Sequence, residues 1–109
     1  DIADRVKFLH ERIKEVKKAL EERKALHEKA MAEINAEIDE RLRMLTGLSD
    51  DEKIREFKVD ITLLMMERRR ENLSYWRDLV NLRSELMSLL EEYENELKIA
   101  KLMGVEIAE

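Results

Sequence analysis

No cysteine occurs among the 109 residues, which excludes a disulfide framework, a thiolate zinc site and a thiol nucleophile. Proline is also absent and glycine occurs twice, so almost nothing divides the chain into short elements. The longest apolar run, Leu63-Leu64-Met65-Met66, falls far short of the roughly 18 residues a membrane span needs. No basic stretch precedes a hydrophobic run of the signal-peptide kind. Together these absences favour a soluble, cytoplasmic protein with no membrane partner. The chain opens on Asp1 rather than methionine, which reads as a processed product or a piece of something longer.

What is present is charge and aliphatic surface in near-equal measure. Charged residues make up 43% and hydrophobic residues 44% of the chain, with 5% aromatic, the balance of long amphipathic helices in one domain. The formal net charge of −5 gives no electrostatic reason to expect a nucleic acid or an anionic membrane. Arg68-Arg69-Arg70, with Arg77 and Arg83 beyond, is broken by Glu67, Glu71 and Asp78 and reads as a solvated, ion-paired face.

From Ile2 the apolar residues Val6, Leu9, Ile13, Val16 and Leu20 alternate steps of four and three, a coiled-coil seam. The next seam positions are Arg23 and His27. The pattern then resumes at Met31, Ile34, Ile38, Leu42 and Leu45 after an eleven-residue step from Leu20, which locally unwinds a left-handed supercoil. Helix 1 is expected over about 2–46. Gly47 is read as its left-handed C′ residue, with Leu48 as the accompanying apolar contact. Ser49-Asp50-Asp51-Glu52 has the pattern of a capping box, in which Ser49 and Glu52 satisfy each other's amides. The turn is therefore placed at 47–49, helix 2 at about 50–103, and a tail at 104–109 after a second glycine cap at Gly104-Val105. A break near Asn72-Leu73-Ser74 would make three helices, but neither glycine nor proline supports it.

The second seam runs through Ile54, Phe57, Ile61 and Leu64, lapses at Arg68 and Asn72, and returns at Tyr75, Leu79, Leu82, Leu86, Leu89, Tyr93 and Leu97. So short a turn makes the helices antiparallel, and residue n should face one near 97 minus n. In that register Arg23 and His27 meet Arg68, Glu71, Asn72 and Tyr75. These six form an expected polar layer that sets register and oligomer state. Beside the second seam lies another stripe at helical spacing: Val59, Leu63, Met66, Leu73, Trp76, Val80, Met87 and Leu90. Left in water it would be an unusually long apolar patch, and a single seam buries too little to order two such helices alone. The expected fold is therefore an all-α, antiparallel coiled-coil hairpin that pairs into a four-helix bundle, most simply as a homodimer.

Enzymatic chemistry finds little support. The Glu-x-x-His pairs of di-iron bundles are missing, since Lys7 and Lys24 stand three residues before His10 and His27. No metal, cofactor or catalytic residue is expected, and no phosphate loop or nucleophile elbow occurs. Phe8-Leu9-His10-Glu11-Arg12 contains the His-Glu dipeptide seen in the phosphoacceptor hairpin of sensor kinases, and Leu26-His27-Glu28 repeats it. Lys14 stands where that family has Thr or Asn, and no proline follows, so membership is not assigned. The first functional expectation is a scaffold, spacer or dimerisation element, whose regularity also suits a designed protein or an excised coiled-coil segment. The second is an adaptor whose 59–90 stripe receives a partner helix, and a phosphotransfer-type hairpin ranks third.

Overall fold

The computed structural model describes residues 1–107, and the described fold is all-α. Helix α1 spans Ile2–Thr46 and α2 spans Asp51–Leu102, the hairpin that the seams imply. Helix α2 runs unbroken through Asn72-Leu73-Ser74, so the three-helix alternative does not occur. It starts one residue later and ends one earlier than expected. Residues 108 and 109 of the expected tail lie outside the described residues.

Both helix starts are capped by aspartate. The Asp4 amide donates to Asp1 Oδ1 at 2.9 Å and the Arg5 amide to the Asp1 carbonyl at 3.1 Å. At α2 the Glu52 amide donates to Asp50 Oδ1 at 3.0 Å, and the Ile54 amide to the Asp50 carbonyl at 3.0 Å. The cap is thus Asp50, not Ser49. The slip of one residue makes Glu52 the second helical residue, and a full carboxylate rather than a hydroxyl meets the positive end of the helix.

The two glycines end their helices differently. Helix α1 tightens at its close: the Gly47 amide donates to the Met44 carbonyl and the Leu48 amide to that of Leu45, each at 3.2 Å. These bonds satisfy the last carbonyls without a left-handed residue, and Gly47 does not adopt one. Gly104 does, with φ of 70°. There the Val105 amide donates to the Ala100 carbonyl at 2.9 Å and the Gly104 amide to that of Lys101 at 3.2 Å, a Schellman closure with half-buried Val105 beside it.

The chain divides into two compact units. The first joins Asp1–Glu22 to the chain from Asp78 onward. Its core is Val6, Leu9, Ile13 and Val16 of α1 with Leu79 and Ala100 of α2, Val6 and Leu9 being 1% exposed. Arg5 pairs with Glu92 and Arg12 Nη2 donates to Glu85 Oε1 at 2.5 Å, the partners that the expected register specifies. The hydrogen bonds that Arg12 donates to the Glu15 and Glu85 carboxylates hold its guanidinium above its ordinary pKa. These pairs are exposed enough that they fix register more than they stabilise.

The second unit, Arg23–Arg77, contains the turn. Its core joins Ile34 and Ile38 of α1 to Ile61 of α2, with Leu45 and Leu64 packed alongside. Leu42, expected on the seam, is 45% exposed. Arg41 takes its place, half-buried and donating to Asp60 Oδ2 at 3.2 Å and to the Glu37 carbonyl at 3.2 Å. Through Ile34, Ile38, Arg41 and Leu45 the seam keeps steps of four, three and four, whereas Leu42 breaks that alternation, and one residue turns the helix by about 100°.

Gly104→Val is expected to destabilise the chain by about 1–2 kcal/mol in urea unfolding, since it forces a β-branched residue into the left-handed region. Gly47→Ala should be neutral or stabilise by up to about 1 kcal/mol, because its Cβ would meet nothing closer than the Met44 carbonyl oxygen at 3.8 Å. Asp50→Ala should cost about 1 kcal/mol in the same assay, and Ser49→Ala less than half of that.

Candidate functional site

The polar layer is built from two i, i+4 pairs, each of which shares one helix face. Arg23 and His27 project from α1, Glu71 and Tyr75 from α2, all within the second unit. Arg23 Nη2 donates to Glu71 Oε1 at 2.6 Å, and His27 Nδ1 lies 3.5 Å from the same oxygen. The His27 ring stacks on Tyr75, with centroids 3.9 Å apart and planes within 5°. The Arg23 guanidinium carbon sits 5.2 Å from the Tyr75 centroid. The Arg23, His27 and Glu71 side chains are only 16% to 18% exposed.

Two expected members stand outside. Asn72 is exposed, because the seam passes through Glu71 one position earlier. Arg68 is half-buried but donates from Nη1 to Asn35 Oδ1 at 2.9 Å, further towards the turn. Asn35, Arg41 and Asp60 went unnoticed in the sequence. Their only signal was the reflected register, which points to a neighbourhood of about one turn rather than to a partner.

Chemically the layer is closed upon itself. Glu71 is shared by a fixed cation and an imidazole, and aromatic stacking covers the imidazole face. His27 Nδ1 is buried without a hydrogen-bond partner. Such an arrangement selects one axial alignment, since sliding the helices would separate a half-buried carboxylate from a half-buried guanidinium. Among the described residues no three His, Asp or Glu side chains converge as metal ligands, and no helix is long and apolar enough to cross a membrane.

The apolar stripe is the other candidate. In the second unit Val59, Leu63, Met66, Leu73 and Trp76 are 54% to 63% exposed. In the first unit Val80 and Met87 are more than half exposed and Leu90 lies at the margin. In the second unit most of the stripe follows the seam by two residues: Phe57 precedes Val59, Ile61 precedes Leu63, Leu64 precedes Met66 and Glu71 precedes Leu73. Two residues turn a helix by about 200°, so these four point away from α1. Tyr75 faces the layer, and its neighbour Trp76 is turned out to solvent.

No family model, curated protein or solved structure matches this chain. What it does must be read from these two features.

Glu71→Ala should cost about 2 kcal/mol in equilibrium unfolding, because it removes the carboxylate that accepts from Arg23 in the half-buried layer and lies 3.5 Å from His27 Nδ1. His27→Leu should instead raise the unfolding midpoint, by removing an unsatisfied buried nitrogen, while broadening the distribution of masses in light scattering. A large loss of stability with unchanged mass would contradict the role given to His27.

Proposed function

We propose that the chain is an assembly module whose second helix pairs with a second copy, making a homodimer of four helices. The observation that carries this reading is the row of apolar side chains on the α2 face turned away from α1. A helix that is apolar on two opposite faces belongs between two others. The matching face of α1 in the second unit presents exposed Lys29, Glu33 and Glu40, so α1 suits the outside of such an assembly.

The area supports a stable contact. Five side chains of this size, each more than half exposed, present on the order of 500 Å² in the second unit alone, and a symmetric pair would bury about 1,000 Å². That reaches the lower end of specific interfaces before the first unit's Val80 and Met87 are added. Because Val59, Leu63, Met66 and Leu73 lie on the face opposite the seam, the pairing through them is layered: α1, α2, then α2 and α1 of the other copy. In a closed square bundle each helix would meet its neighbours about a quarter turn apart. The polar layer then keeps each hairpin in one alignment, so that the stripe is presented in one register.

Sedimentation velocity across a concentration series tests this directly. The expected result is a mass twice that of the chain in the micromolar range, with Leu63→Glu combined with Leu73→Glu returning it to one chain. Both residues are exposed in the isolated chain, so the variant should keep its helical circular dichroism. A wild-type chain that stays single at high concentration, and doubles only with a foreign helix, would favour the adaptor reading instead.

A further inference from the structure

We propose that the first unit carries a binding site for a small amphiphile with a single negative charge, such as a medium-chain carboxylate. The site is independent of the stripe and of the polar layer. Beyond α2 the left-handed Gly104 turns the backbone, and Ile107 comes to line a cleft of about 540 Å³ with Val6, Lys7, His10, Lys14 and Tyr93. The volume falls within the range of small-molecule sites. Its polar groups sit on α1, and its apolar ones come from both helices and the segment after α2.

The lining has two chemical zones. Buried Val6, half-buried Tyr93 and half-buried Ile107 offer hydrocarbon and aromatic surface. The rings of His10 and Tyr93 lie 6.0 Å apart and tilted by 38°, a shallow wall against which a chain or ring can pack. Lys7 and Lys14 are exposed and two turns apart, about 10 Å along the helix. Glu11 also lines the cleft, and its carboxylate is 3.9 Å from Lys14 Nζ, a loose pair. Lys7 has no acidic partner among the described residues.

That asymmetry selects the ligand class. Two ammonium groups and one carboxylate leave the cleft with an excess of one positive charge, so an anion is favoured over a cation. Apolar walls give a bare inorganic anion nothing to bury, whereas a hydrocarbon tail gains by leaving water. The head group pairs with Lys7, the cation without a partner, and the tail runs along Val6, Tyr93 and Ile107. The arrangement depends on the Schellman closure, because a chain continuing straight from Leu102 would not return Ile107 to this place.

The test uses the full chain and dodecanoate below its micelle concentration, followed by calorimetry and by proton NMR of the aromatic rings. The expected result is one site per chain, with the His10 and Tyr93 ring signals shifting and the Trp76 indole unchanged. Lys7→Glu should weaken binding by about tenfold or more, and dodecylammonium, with the same tail and opposite charge, should bind about tenfold less tightly than dodecanoate. Lys7 is exposed, so its variant should keep the wild-type circular dichroism. Gly104→Val, which breaks the turn behind Ile107, should lose binding as well. No binding at millimolar dodecanoate, equal binding of the ammonium amphiphile, an unchanged Lys7→Glu variant, or a shift of Trp76 in place of Tyr93 would each overturn the proposal.

Discussion

A seam one or two side chains wide is all that joins α1 to α2, and this narrowness governs the rest of the molecule. A globular core tolerates a misplaced residue because its neighbours lie in every direction. Along a seam each position has partners only across the line, so a slip of one turn would repeat at every layer. The aliphatic layers of this seam are much alike, Val, Leu and Ile on α1 against Ile and Leu on α2, and would accept several alignments almost equally. Arg23, His27, Glu71 and Tyr75 would not, because their charges and rings have one complementary arrangement. The layer spends hydrophobic stability to remove that ambiguity.

The same narrowness explains why α2 differs from α1. Helix α1 has one apolar line and, apart from exposed Phe8, Leu26, Leu42 and Met44, mostly charge elsewhere, as suits a helix with one neighbour. Helix α2 carries a second line, on its opposite face from Val59 to Leu73. A dimer built through that face would leave the seam and its polar layer undisturbed, and would use the hairpin as a preformed surface. The cleft near Tyr93 borders the seam through Val6 and Tyr93. It is completed where the chain leaves α2 and turns back, so it depends on a single left-handed residue as well as on the repeating pattern.

Much of this was legible in advance, and the errors share a cause. Both seams, the antiparallel register, the Gly104 closure and the meeting of Arg23 and His27 with Glu71 and Tyr75 follow from spacing alone. Most misreadings are slips of one residue: Asp50 for Ser49 at the cap, Glu71 for Asn72 on the seam, Arg41 for Leu42 near the turn; Arg68 instead leaves the layer for Asn35. Each lies near a place where the heptad pattern is interrupted or ends. There the choice between neighbouring positions passes from periodicity to local hydrogen bonding and charge. Gly47 belongs with them, since a tightened last turn satisfied carbonyls that a left-handed glycine was expected to satisfy.

By itself, then, the sequence determined that this chain forms two long helices, where they turn, and which lines of side chains meet. Those outcomes depend on local propensity, on the absence of breakers and on the period of the apolar pattern, all carried within short stretches of chain. Tertiary structure decided that Arg68 turns to Asn35, that His27 lies flat on Tyr75, and that Ile107 returns to line a cleft with His10. Those contacts join residues far apart in the chain, and a difference of one residue in phase between two helices moves a side chain through about 100°, further than any spacing rule resolves.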